Sequence, residues 1–183
     1  MHNKVVQYYC FIERFDTNII NKLPKKTCII YRNYEKIIDQ SLIIKIKNFC
    51  KSKKIKFVIS NDIKLAIKLN LDGIYIPSFN KLLNIKFFKT KKNFIFLGSA
   101  HNLFEIKIKE NQNISTIFLA PIFKNKGNRN KLGIYRFLNF MKLTKKNIVS
   151  LGGINQKNIK LINMLNLHGI AAISLFNNKT NYK

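Results

Sequence analysis

Eight short runs rich in Ile, Val, Phe and Leu punctuate the chain, each closed by polar residues or glycine. They are Val5–Glu13, Thr27–Asn33, Ile55–Ser60, Gly73–Ser78, Asn93–Ala100, Ser115–Phe123, Asn147–Ile154 and Gly169–Phe176. Most are near-continuous in apolar residues rather than alternating. A strand of that kind is buried on both faces, which is the condition of a parallel sheet covered by helices.

Helical patterns fill the gaps. Glu35–Lys51 carries apolar residues at Ile37, Ile38, Leu42, Ile46 and Phe49, and Asp62–Asn70 carries Ile63, Ala66 and Ile67. Asn102–Asn111, Gly133–Lys142 and Gln156–Asn166 read as helices, the last with Asn155 as its N-cap. Asp16–Leu23 and Phe79–Phe87 are short and weakly patterned. Strand and helix alternating to eight strands predict an α/β fold, a shortened (β/α)8 TIM barrel spanning residues 1–183 as one domain. The chain has 183 residues, below the roughly 200–250 usual for that barrel. So little sequence follows the eighth run that the last helix is expected to be missing or vestigial. One barrel flank would then be apolar and bare, which makes a homodimer attractive.

Composition narrows the partners. The formal net charge is +26, which taken alone suggests nucleic acid. The positive charge is nearly all Lys and is spread along the chain, while Lys, Asn and Ile dominate together, as in AT-biased coding. No nucleic-acid signature accompanies it, so a solvated lysine surface is expected, with no specific nucleic acid. Cys10, Cys28 and Cys50 have no C-x-x-C spacing and are expected to be buried and reduced, in a cytoplasmic protein. Strand-like residues follow Met1-His2-Asn3-Lys4 at once, so no secretory leader is expected. No apolar stretch approaches the roughly 18–20 residues that span a membrane.

Barrels of this kind bind ligands at the C-terminal ends of their strands. The residues there are Glu13-Arg14, Arg32-Asn33-Tyr34, Asn61-Asp62, Ser78–Asn80, Ser99 with His101, Lys124–Lys131, Gly152-Gly153 and Ser174. This rim is polar, cationic and poor in acid, and it suits a small molecule carrying phosphate or pyrophosphate. Gly152-Gly153 and Ser174 close the last two strands, where backbone N–H groups of such loops hold phosphate. Arg32 is placed to fork onto a phosphate. Asp62 serves either as the N-cap of the following helix or as a ligand of Mg²⁺, which takes one or two carboxylates together with phosphate oxygens. Asp72 precedes its strand, lies on the opposite face and reads as a turn residue. His101 is more readily a hydrogen-bonded loop residue than a base. Lys124, Lys126, Arg129 and Lys131 crowd one loop, either as a lid over pyrophosphate or as a solvated segment. No nucleophile triad, zinc spacing or Walker loop is present.

In order, Ile29-Ile30-Tyr31-Arg32, Ile59-Ser60-Asn61-Asp62, Asp72-Gly73-Ile74-Tyr75-Ile76 and Leu97-Gly98-Ser99-Ala100-His101 resemble the thiamine phosphate synthase and thiazole tautomerase family. Leu119-Ala120-Pro121-Ile122-Phe123, Leu151-Gly152-Gly153-Ile154-Asn155 and Gly169 to Ser174 extend the resemblance through strand eight. The resemblance implies a transferase of thiamine biosynthesis that joins hydroxymethylpyrimidine pyrophosphate to thiazole phosphate with Mg²⁺. On that basis Arg32, Asn61 and Asp62 match positions for the pyrophosphate and its metal, and Ser99 a pyrimidine contact. Gly153, Ile173 and Ser174 match the thiazole phosphate site. Asn80 stands at the position of a second metal carboxylate, and Lys124 or Lys126 is the candidate for a lysine whose Thr-x-Thr-Lys setting is absent here. Ile30, Tyr34 and Tyr75 replace the family's Gln, Lys and His. Pro121 occupies the tautomerase's proton-transferring His position, which favours the synthase branch. The alternative is a degenerate member that binds a phosphate ester without turnover.

Overall fold

The computed structural model describes residues 7–24, 26–34, 38–124 and 131–172. Eight strands form a closed barrel: β1 Gln7–Ile12, β2 Thr27–Tyr31, β3 Lys56–Ser60, β4 Gly73–Ile76, β5 Ile95–Ala100, β6 Thr116–Leu119, β7 Asn147–Leu151 and β8 Gly169–Ala171. Every neighbouring pair is parallel, and β8 closes on β1 with Gln7 opposite Gly169. All eight runs are strands, and each run outlasts its strand at one end or both. Where a run outlasts its strand at the C-terminal end, as at β2 and β7, the tail leaves the ladder to build the rim. At β6 the next residues are Ala120 and Pro121, and proline has no N–H for a ladder.

The helices are α1 Thr17–Asn21, α2 Gln40–Ser52, α3 Ile63–Lys68, α4 Leu103–Asn111, α5 Gly133–Lys142 and α6 Ile159–Met164. A 3-10 turn, Leu83–Phe87, takes the place of a helix between β4 and β5. The first helix is trimmed to five residues. Asp39 caps α2 by accepting from the Ser41 N–H, so the helix begins later than its apolar pattern suggests. One expectation is corrected at α6. The residue preceding this helix is Asn158, and Asn155 instead caps the turn before it by accepting from the Lys157 N–H. The Asn158 amide is spent on that same turn, donating to Gly153 O and accepting from Asn155 N. The expected loss of the last helix falls at 173–183, outside the described residues.

Two apolar layers result. The outer one lies between strands and helices and holds Ile29, Ile43, Ile46, Phe57, Ile59, Ala66, Ile74 and Phe137. The inner one fills the barrel with Tyr9, Phe11, Cys28, Ile30, Val58, Tyr75, Leu97, Phe118, Val149 and Ala171. Four aromatic rings interlock there edge to face, with Phe118 at 4.8 Å from Tyr9, 5.4 Å from Tyr75 and 6.0 Å from Phe11. The interior is therefore a packed plug that leaves ligands the rim. Cys10, Cys28 and Cys50 are free and buried, and burial pushes the Cys10 and Cys50 thiols up to about 12. Asp72 lies at the opposite end, accepting from the Phe57 N–H at 2.9 Å and pairing with Lys56.

Candidate functional site

Strand parity decides which side chains face the barrel mouth. Cys28 and Ile30 point inward on β2, Val58 on β3 and Leu97 on β5. Two residues further on, the same side brings Arg32, Ser60 and Ser99 to the mouth. The Arg32 guanidinium lies over the Phe11 ring, 4.7 Å from its centroid, and the Arg32 backbone N–H donates to Ile12 O at 2.9 Å. Stacking on the aromatic plug orients the cation at little cost in mobility. Ser99 is buried and hydrogen-bonded to the Tyr75 hydroxyl, whose acidity is lowered chiefly by burial.

The loop after β3 carries Asn61 and Asp62. Asn61 has φ of 65°, a left-handed conformation that Asn tolerates, and its N–H donates to Tyr75 O. Its side-chain oxygen accepts from the Asn80 amide at 2.7 Å, so the loops after β3 and β4 are joined at the rim. The Asn80 oxygen accepts from the Leu82 N–H at 3.0 Å. Asp62 is the N-cap of α3, with Oδ1 accepting from the Leu65 N–H at 2.9 Å. Beside them Tyr34 donates to or accepts from the Ser60 hydroxyl at 2.8 Å and packs edge-on to Phe79, 5.5 Å between centroids. Tyr34 and Phe79 are 51% and 61% exposed and make an aromatic lip over this side of the mouth. Partial burial raises the Tyr34 pKa.

Across the mouth, Gly152 and Gly153 turn with φ of 95° and 71°. A Cβ on Gly152 would lie 2.7 Å from Pro121 Cβ, and one on Gly153 would lie 2.7 Å from Phe123 O and Lys124 O. Gly152 O accepts from Phe123 N, and Gly153 O accepts from the Asn158 amide at 2.9 Å. Among the described residues the N–H groups of both glycines have no acceptor. Two peptide donors beside a helix-leading turn are the elements of an anion cradle. Exposed Lys124 adjoins it. Lys126, Ile173 and Ser174 lie outside the described residues.

Among the described residues no three His, Cys, Asp or Glu side chains gather as a metal site. The donors that suit a hard cation are the Asp62 carboxylate, whose second oxygen takes no hydrogen bond among the described residues, and the neighbouring Asn61 and Asn80 amides. One carboxylate is enough for Mg²⁺ when substrate phosphates and water complete its shell, so the residues fit that ion. His101 is bound to Glu105 through both its N–H at 2.7 Å and its ring Nδ1 at 2.9 Å, the loop role rather than that of an unengaged base.

Sequence reasoning missed Lys109 and Gln112 on and just after α4. Both are fully buried, and both reach under the loop that carries Asn80. The available signal was their spacing from Ile106, which puts a cation and an amide on the core-facing stripe of the helix.

A sequence profile of the thiamine monophosphate synthase family matches residues 17–176. The chain belongs to the thiamine monophosphate synthase family. A thiamine-phosphate synthase of Pelagibacter ubique is 33% identical over 140 residues, 74% of this chain and 67% of that one. One from Haemophilus influenzae is 24% identical over 168 residues, 85% of this chain and 74% of that one. In structure the chain is similar to a thiamine phosphate pyrophosphorylase from Pyrococcus furiosus, with a TM-score of 0.77 at 17% identity, covering 97% of this chain and 90% of the other. Because all eight strands run the same way, their C-terminal ends lie on one barrel rim.

Proposed function

We propose that the chain, acting as one barrel domain, couples hydroxymethylpyrimidine pyrophosphate to thiazole phosphate and releases pyrophosphate. The observation that carries this reading is the division of the rim. A cation and a carboxylate stand on the β2–β3 side, and a glycine cradle for a second, smaller anion stands on the β7 side.

Arg32, held on Phe11, binds the pyrophosphate and gains strength as negative charge builds on the leaving group. Asp62, with Asn61 and Asn80 beside it, would hold Mg²⁺, which would supply positive charge against the pyrophosphate leaving group. The C–O bond to the pyrimidine methylene breaks with its electron pair going to the pyrophosphate, and the thiazole nitrogen supplies the pair for the new C–N bond. Ser99 contacts the pyrimidine. The Gly152 and Gly153 N–H groups hold the thiazole phosphate and aim the ring across the mouth, with Ile173 and Ser174 assigned to the same site. Lys124 or Lys126 supplies further positive charge. The aromatic plug beneath Arg32 strengthens its attraction for the anion. Little proton transfer is required, and among the described residues the rim histidine, His101, is bound to Glu105.

Three buried free cysteines support a reducing, cytoplasmic setting. No helix among the described residues is long and apolar enough to cross a membrane. Exposed Tyr135, Leu143 and Met164 on and beside α5 and α6 support a homodimer. A second reading, a phosphate-ester binder without turnover, is favoured by Asn80, which supplies a neutral amide already joined to Asn61. A coupling assay decides between them: purified chain, Mg²⁺ and both substrates, with thiamine phosphate read by mass. Mg²⁺-dependent product supports the transferase. Thiazole phosphate binding without product supports the binder.

A further inference from the structure

Lys109 lies outside the barrel wall, and its ammonium is fully buried with three oxygen acceptors. It donates to Pro77 O, Asn80 O and Gln112 Oε1, each at 2.8 Å. Gln112 Nε2 donates to Asn80 O at 2.9 Å and Leu82 O at 3.0 Å. Two side chains one helical turn apart thus satisfy three carbonyls of the loop 77–82. That loop replaces a full helix and has few other ties: the Asn80 N–H donates to Pro77 O, and the Leu82 N–H to Asn80 Oδ1. Glycine at 98 leaves room for the lysine stem, since a Cβ there would lie 3.0 Å from Lys109 Cδ. A buried cation meeting three acceptors is costly to assemble and holds its partners tightly once assembled.

The loop so fastened presents Asn80 to Asn61 and Phe79 to Tyr34. We propose that Lys109, with Gln112, is a positioning residue for the pyrimidine pyrophosphate half of the site: it clamps the loop after β4 so that Asn80 and Phe79 complete the rim beside Asp62. This rests on the function proposed above. Lys109 touches no substrate and acts only through the loop.

Lys109→Met keeps the unbranched stem and removes the donors, and Gln112→Met is a second, milder variant should the first fold poorly. Amide hydrogen exchange at Asn80 and Leu82 in the unliganded full chain reads the clamp directly. Protection at both amides is expected to fall on the order of tenfold or more in each variant. Unchanged protection in both overturns the clamp. Steady-state coupling reads its consequence. KM for the pyrimidine pyrophosphate is expected to rise on the order of tenfold, while KM for thiazole phosphate holds, because Gly152 and Gly153 stand across the mouth. A lower melting temperature with both KM values unchanged, or both changed equally, makes Lys109 a purely structural residue and overturns the proposal. A native chain with no coupling activity refutes the proposed reaction instead. Calorimetric titration with Mg²⁺ and inorganic pyrophosphate then carries the comparison, and equal binding by native chain and variants overturns the positioning role.

Discussion

Gly153→Ala tests whether the phosphate cradle is shaped by close backbone approach. The residue has φ of 71°, where an L side chain costs about 1–2 kcal/mol. Its Cβ would also lie 2.7 Å from Phe123 O, Phe123 Cβ and Lys124 O. Two of those atoms are backbone and cannot swing aside, so the loops after β6 and β7 must separate. Separation weakens the Phe123 N–H bond to Gly152 O, worth about 1 kcal/mol. The total is about 2–3 kcal/mol, or a fall in Tm of roughly 4–12 °C for a domain of this size. Gly133→Ala is the internal control, because Gly133 has φ of 73° and nothing within 4 Å of its Cβ. That variant isolates the backbone cost at about 1–2 kcal/mol. Urea unfolding of the two variants, with KM for thiazole phosphate measured on folded protein, completes the experiment. Gly153→Ala is expected to lose more stability than the control and to raise that KM at least tenfold. If the two variants lose the same stability and keep the same KM, close approach does not shape the cradle.

Asp62→Asn retains an N-cap for α3 and is expected to melt within a few degrees of the native chain while losing Mg²⁺-dependent coupling; Asp62→Ala should lose coupling and a further ~1 kcal/mol of stability. Burial holds the Lys109 ammonium down to about 8 from its ordinary 10.5. Below about 8 native and unfolded chains are both protonated there, and between about 8 and 10.5 only the unfolded chain keeps the proton, so native stability rises with pH relative to Lys109→Met, by up to about 3 kcal/mol. Denaturant unfolding at pH 7 and pH 10 checks the sign, and a fall in that difference refutes it. Ser99→Ala leaves the buried Tyr75 hydroxyl without its partner and should cost about 1–3 kcal/mol in urea unfolding, whereas Ser99→Ala with Tyr75→Phe should recover much of the loss. Ser150 Oγ is buried with no partner among the described residues, so Ser150→Ala is expected to leave Tm unchanged or raise it.

Buried parallel strands advertise themselves. Runs such as Thr27–Asn33 and Ser115–Phe123 are apolar on both faces because helices cover one and the barrel plug fills the other, so eight strands were legible from hydrophobicity, and their alternation with helices pointed to the barrel. The strand ends, and with them Arg32, Asn61, Asp62, Ser99 and Gly152-Gly153, followed from the rule that parallel strands gather their C-terminal ends on one rim. The capping role of Asp62 was likewise local, since an N-cap needs only the next three residues. What only the tertiary structure decided was long-range. The Asn61–Asn80 bond joins two loops 19 residues apart, and the lip of Tyr34 and Phe79 depends on the position of a loop with no periodicity of its own. Lys109 looked like one more solvated lysine among 34 basic residues. It is fully buried because Gly98 leaves room for its stem, while Pro77 and Asn80 turn their carbonyls toward its ammonium. Apolar periodicity registers burial of carbon, so the spacing of Lys109 and Gln112 from Ile106 marks the face they share with the core but not the distant backbone oxygens that receive the charge.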